Sequence, residues 1–168
     1  SASPGPGSDA RADYDLVIVG GGSAAFAAAI KTSDLGRRAL IINDGPDGGG
    51  LPIGGTCVNV GCVPSKALIR VAEAHQHAAH HPFDGIMSES SVTDFNAVTS
   101  QVQALVSDLQ QHKYIDVVAD NPNIEIREGR ARLTGPQSVE VGEETITGTQ
   151  ILIATGARTF VPDIPGLK

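Results

Sequence analysis

Asp15-Leu16-Val17-Ile18-Val19-Gly20-Gly21-Gly22-Ser23-Ala24-Ala25 decides the fold. A short β-branched run ends in G-x-G-x-x-A, and Ala25 to Lys31 opens a helix. Gly20 allows a sharp turn. Gly22 lets a pyrophosphate come close to the helix N-terminus, beside Ser23. A small residue at Ala25 lets helix and strand pack closely. A glycine fingerprint alone matches many turns. Here a strand precedes it, a helix follows, and a second strand, Ala39 to Ile42, comes on cue. Together these read as a dinucleotide site. The fingerprint calls for an acid at the end of the second strand, to hold a ribose hydroxyl. The chain has Asn43 and then Asp44. Asn43 can bond a ribose without the charge; Asp44 either takes the role or is a solvated turn residue.

Outward from there, Gly45 to Pro52 is a glycine- and proline-rich loop leading to Gly54-Gly55-Thr56-Cys57-Val58-Asn59-Val60-Gly61-Cys62-Val63-Pro64-Ser65-Lys66. This stretch holds both cysteines of the chain, at i and i+5. Behind it, Ala67 to His80 has a helical pattern with Leu68, Val71 and Ala72 on one face. Near a helix start, i and i+5 lie a turn and a half apart, so a small backbone distortion lets the sulfurs bond. The positive end of the helix dipole favours a thiolate there. Gly54, Gly55 and Gly61 let other groups approach the backbone closely. A dithiol beside the Lys66 cation suits the uptake and release of two electrons. A static disulfide, a zinc site and two inert core cysteines are the competing readings of this stretch. Zinc cysteines usually sit two to four residues apart and come with more ligands.

The 168 residues suffice for one domain with a real core. Hydrophobic residues make up 40%, and mean hydropathy is −0.01, which suits a soluble globular protein. The net charge of −7 and pI near 5.0 argue against nucleic acid or an anionic membrane as partner. No apolar run approaches the length of a membrane span. Residues 1–12 are rich in Ser, Pro, Gly and Ala and lack a basic-then-apolar signal pattern. They read as a disordered leader, a join to an upstream domain, or an expression scar. A reducing cytoplasm is the expected location, and there a close cysteine pair is more often catalytic than structural.

Farther along, His77 and His81 are spaced i, i+4 and so able to share a helix face and a metal. A solvated histidine-rich helix end, stopped by Pro82-Phe83-Asp84-Gly85, is the favoured reading. Asp94 is a candidate cap. Phe95, Val98, Val102, Leu105, Val106 and Leu109 form one apolar stripe on a helix expected to reach Val118. Ile124 to Arg127 alternates like a strand. Ala131 to Leu133, Ser138 to Val141 and Glu144 to Thr147 read as short antiparallel strands. Gln150 to Ala154 reads as a buried parallel strand, ending in the tight turn Thr155-Gly156-Ala157.

The dinucleotide turn, the dithiol stretch and the late Thr-Gly turn together resemble the N-terminal part of the two-cysteine flavoprotein disulfide reductases. Residues 54–66, with Ile69-Arg70 and Pro82 to Gly85, are most similar to the mercuric reductase branch. Val58 and Val63 stand where dihydrolipoyl dehydrogenases and glutathione reductases more often carry Leu and Ile. The resemblance covers residues 14–168. It implies an α/β, Rossmann-like FAD/NAD(P)-binding domain with three layers, a parallel sheet plus a small antiparallel β-meander, incomplete relative to the family. The expected division is a leader at 1–12 and the N-terminal segment of an FAD-binding domain at 13–168.

The resemblance also implies roles. Gly20, Gly22, Ser23 and Ala25 cradle the FAD pyrophosphate, with Gly55 and Thr56 beside it and Ala154, Thr155 and Gly156 close to the same cofactor. Asn43 or Asp44 serves the adenosine end, where the family usually has glutamate. Cys62 is the sulfur nearest the flavin, and Cys57 the outer, interchange thiol. Lys66 lies near the reactive flavin nitrogen, where its charge favours reduced flavin. In the mercuric branch NADPH reduces FAD, FAD reduces the disulfide, and the thiolates hold Hg(II) while it becomes Hg(0). Soft thiolates suit that soft metal. Family chains continue into an NADPH-binding domain and a homodimerisation domain, so a fragment without NADPH turnover is expected. An open sheet edge that promotes self-association is expected too.

Overall fold

The computed structural model describes residues 12–157 and 160–167. The leader expected at 1–12 therefore lies outside the described residues, apart from Ala12. At the centre is β1 (Tyr14–Val19), parallel to β2 (Ala39–Asn43) on one side and to β6 (Glu144–Ile153) on the other. Outside β2 lies β3 (Ile124–Glu128), also parallel; β4 (Ala131–Gly135) and β5 (Ser138–Val141) continue beyond β6 as an antiparallel meander. The sheet order is β3-β2-β1-β6-β5-β4.

Side chains alternate across a strand, so the apolar runs of β1 and β2 must be covered on both faces. On one face Ile18, Ala39, Ile41 and Ile124 meet Ala25, Phe26 and Ala29 of α1 (Ser23–Asp34) and Val118 of α5 (Asp116–Ala119). On the other, Val17, Leu40 and Ile42 meet Val139 and Ile146 of the meander. Helices, parallel strands and meander thus make the three layers of a Rossmann-like α/β domain. Ile18, Leu40 and Ile41 are wholly buried; each stabilises the fold by about 1.5–3 kcal/mol.

Two strands expected between residues 144 and 154 are one. The first half of β6 pairs antiparallel with β5, and its second half pairs parallel with β1. The strand is also less buried than its composition implies. Ile151 and Leu152 are half-buried and Ile153 is 62% exposed.

The helices depart from the expected pattern in three ways. Cys57 lies in a short helix of its own, α2 (Gly55–Asn59), and α3 (Cys62–Ala79) begins at the second cysteine rather than near Ala67. Pro64 falls in the first turn of α3, where a missing N–H costs nothing, and Ser65 N donates the first helical bond to Gly61 O at 3.1 Å. Of the expected face only Val71 is half-buried; Leu68 and Ala72 are exposed. The half-buried row is instead Val63, Ala67, Val71, His75 and Ala79, four apart, and α3 packs beside α4 (Phe95–Gln110).

Asp94 does cap α4: its carboxylate accepts from the N–H groups of Asn96 at 2.8 Å and Ala97 at 3.2 Å. Only Val102 and Val106 of the α4 stripe are buried, while Phe95 and Leu105 are exposed. Nor does α4 run unbroken to Val118. A π-helical turn, Gln111–Ile115, intervenes before α5. Among the described residues no helix is long and apolar enough to cross a membrane.

Candidate functional site

Three loops meet at the edge where the parallel strands end. Gly20 N donates to Ile42 O at 2.7 Å, and Ala154 N donates to Val19 O at 2.8 Å. Gly20 has φ +120, and a Cβ there would lie 2.2 Å from Ala154 O. A side chain at this position would meet backbone, which has little room to yield. The dithiol stretch closes from the other side: Gly54 N donates to Gly21 O at 2.8 Å. Gly55 has φ +62, and a Cβ on it would lie 2.9 Å from Gly22 Cα. The expected glycine turn, dithiol loop and Ala154-Thr155-Gly156 turn are therefore one site, built backbone on backbone.

The residues present fit a dinucleotide. Nothing crowds Gly22: a Cβ there would find only Gly55 Cα, at 3.8 Å. At the α1 N-terminus, Gly22 provides no side-chain cap and the first turn has no acidic residue. The first N–H groups of a helix lack intrahelical partners, and the dipole there favours an anion. Uncapped, they suit a pyrophosphate. Ala25 is fully buried against the strands, and the Ser23 hydroxyl is 2.9 Å from the Tyr114 hydroxyl.

At the end of β2, Asn43 Nδ2 donates to Leu51 O at 3.1 Å. Its Oδ1 faces the glycine loop, 2.6 Å from where a Gly21 Cβ would be. Asp44 turns toward Gly48, and its Oδ1 is buried without a hydrogen-bond partner among the described residues. Such an atom calls for a donor.

Both cysteines are free thiols, Cys57 half-buried and Cys62 exposed at the first position of α3. A side-chain hydrogen bond to Cys62 comes first among the causes, followed by burial, in pushing the Cys57 thiol above its ordinary value. Cys62, not Cys57, stands at the start of the long helix α3. Lys66 follows Cys62 by one turn on the same helix face and is exposed, as is Thr56. His77 and His81 do not share a helix face: α3 ends at Ala79, and His81 stacks on Phe83 with centroids 6.0 Å apart. Among the described residues no three His, Cys, Asp or Glu gather as a metal site.

Two positioning residues escape a reading of the sequence. Asn59 Nδ2 reaches the carbonyls of Pro52, Ile53 and Gly55 at 2.9–3.2 Å, which fixes the entry to α2. Gln110 Nε2 donates to the same Ile53 carbonyl at 2.9 Å, from the far end of α4. The motif residues near Asn59 overshadow it, and nothing local in sequence marks Gln110.

Residues 14–168 match the family profile described as pyridine nucleotide-disulphide oxidoreductase. The chain belongs to that family. As a pyridine nucleotide-disulphide oxidoreductase it shares 39% identity over 156 residues with a mercuric reductase of Staphylococcus aureus, covering 93% of this chain and 27% of that one. It shares 38% over 168 residues with a mercuric reductase of Serratia marcescens, covering 96% and 35%. Among solved structures it is similar to the HOCl-induced flavoprotein disulfide reductase RclA of Escherichia coli. There the TM-score is 0.73 at 32% identity, over 91% of this chain and 30% of that one. A Cu(II) complex of RclA gives a TM-score of 0.72. The chain thus spans about a third or less of the length of these relatives, all flavoprotein disulfide reductases or mercuric reductases.

Proposed function

We propose that the chain is the FAD- and dithiol-bearing part of a mercuric reductase, which in the whole protein reduces Hg(II) to Hg(0) with NADPH. The observation that carries this reading is the seating of the loop that bears Cys57 and Cys62 against the dinucleotide turn, with Gly54 N donating to Gly21 O at 2.8 Å and Gly55 against Gly22. When bound, FAD supplies a two-electron relay between nicotinamide and the dithiol. Gly20 and Gly55 keep the loops close, and Gly22, Ser23 and Ala25 admit the pyrophosphate to the free N–H groups of α1. Thr56, Ala154, Thr155 and Gly156 flank the same cleft. At the adenosine end Asn43 secures the loop through Leu51, and Asp44 follows it as the adjacent acid. Lys66 sets a positive charge one turn from Cys62.

Two thiols binding Hg(II) release two protons and leave a neutral dithiolate complex. Cys62 is the inner sulfur in this reading. Cys57 is the outer sulfur that exchanges with incoming thiol-bound metal. Homodimerisation and a reducing cytoplasmic setting belong to the same proposal, and the 168 residues alone are expected not to turn over NADPH.

Titration with FAD is expected to saturate at one flavin per chain. The reduced protein is expected to take up one Hg(II) through two thiolates, read as the thiolate-to-metal absorbance. Unchanged Hg(II) affinity in Cys57→Ser overturns the dithiol role. A second reading, a disulfide reductase that handles copper, draws on the similarity to RclA and its Cu(II) complex. Competition between Hg(II) and Cu(I) for the reduced chain separates the two. Absence of saturable FAD binding would instead favour a non-catalytic thiol module.

A further inference from the structure

Tyr114 sits in the π-helical turn that breaks α4 from α5. Single π turns inside α-helices are uncommon and often mark functional positions. Here the turn is tied to the site at both ends. Gln110, immediately before it, donates to Ile53 O at 2.9 Å, just ahead of Gly54 and Gly55. Tyr114, within it, places its hydroxyl 2.9 Å from Ser23 Oγ, at the first position of α1. The Tyr114 ring is held edge-on to buried Phe26, with centroids 4.9 Å apart and planes at 84°. One segment therefore contacts both the dinucleotide turn and the loop that carries the dithiol.

The two hydroxyls can be counted. Each brings one hydrogen and two acceptor lone pairs. Their mutual bond uses one hydrogen and leaves the other free. A phenol is the more acidic hydroxyl, so the better arrangement has Tyr114 donating to Ser23. The free hydrogen is then on Ser23, at the mouth of an uncapped helix. A hydroxyl that accepts a hydrogen bond also donates more strongly, because bonds in a chain polarise one another.

We propose that Tyr114 is a positioning residue for pyrophosphate binding: it orients and polarises the Ser23 hydroxyl toward the anion, and the π turn exists in this chain to put it there. The inference rests on the FAD reading above and deepens it.

The test measures FAD affinity in the 168-residue chain and in Tyr114→Phe, Ser23→Ala and the double variant. Riboflavin, which has the ring but no pyrophosphate, serves as control. Tyr114→Phe keeps the ring on Phe26 and removes only the hydroxyl. It is expected to weaken FAD about three- to ten-fold and to leave riboflavin binding unchanged. The double variant is expected to be no weaker than Ser23→Ala alone, because the two hydroxyls act as one unit. A Tyr114→Phe chain that binds FAD like the parent, or one that loses FAD and riboflavin equally, overturns the inference while leaving the FAD reading intact. So do independent, additive losses. A parent chain that binds no FAD overturns the FAD reading and this inference with it.

Discussion

The two ends of the parallel sheet are finished in opposite ways. Where β1 begins, polar groups close on one another. The Tyr14 hydroxyl donates to Glu125 at 2.5 Å, and Arg127 bridges Glu125 at 2.9 Å and Glu144 at 2.7 Å. Arg38 lies over the Tyr14 ring, 4.9 Å from its centroid, and Asp13 accepts from both the N–H and the hydroxyl of Thr147. Where β1 stops, backbone packs on backbone, the α1 N-terminus has no side-chain cap, and an Asp44 oxygen has no partner among the described residues. The same strands thus have one end closed by side chains and one built from backbone. The α3 start, at Cys62, likewise has no side-chain cap, whereas Asp94 closes the start of α4.

The largest effect that tests this contrast is expected at the glycine turn. Gly20→Ala forces a Cβ against the Ala154 carbonyl in a backbone conformation that side chains rarely adopt. It should cost about 3 kcal/mol or more, seen as a large fall in the urea midpoint. Gly22→Ala meets only ordinary contact, at 3.8 Å. It should unfold like the parent yet lose FAD affinity, and equal stability losses in both variants break the contrast.

Next comes the self-satisfied end. Tyr14→Phe leaves Glu125 without its shortest partner and should cost about 1–2 kcal/mol with FAD affinity unchanged. The pH dependence has a definite sign. Glu125 is held below its ordinary value first by the Tyr14 hydroxyl, and Asp13 by Thr147. A carboxylate depressed in the folded state contributes stability that is full above its unfolded pKa and is lost as pH falls through the folded one. Stability should therefore decline below about pH 4.5, and less steeply in Tyr14→Phe. Tyr14 itself is pushed up to about 12, by burial and then by Glu125. Its contribution is full below pH 10 and is lost as pH rises toward 12.

The smallest expected effect is on the thiols. Because the hydrogen bond to Cys62 comes first in raising Cys57, alkylation of Cys57 should have its pH midpoint above that of an unfolded thiol. In Cys62→Ser the midpoint should move back down. An unmoved midpoint removes the link between the two sulfurs.

Much of this end was legible in the residues. Val17, Gly20, Gly22 and Ala25 announce a strand, a turn and a closely packed helix because each step has a local physical reason. The Cys57–Cys62 spacing announces a dithiol in the same way. The meeting of three loops was legible only through the family resemblance, since no local feature signals the pairing of β1 with β6, far apart in sequence. The break at Gln111–Ile115 has no Gly or Pro to signal it; the ties that accompany it, Ile53 and Ser23, are remote in sequence. Leu68 and Ala72 follow helical periodicity, yet α3 packs beside α2 and α4, and the half-buried row runs through Val63 and Val71. Glu144 to Thr147 and Gln150 to Ala154 read as two strands, whereas a single strand runs through both and changes partners.

That single strand also sets the order of events during synthesis. Asp13 meets Thr147 across 134 residues of sequence, and the glycine turn is not walled until Ala154 has arrived. A ribosome-bound chain stopped anywhere earlier has the fingerprint but no nest. Contacts so distant in sequence slow folding, so cofactor capture is expected to follow emergence of the last strand rather than to guide the first helix.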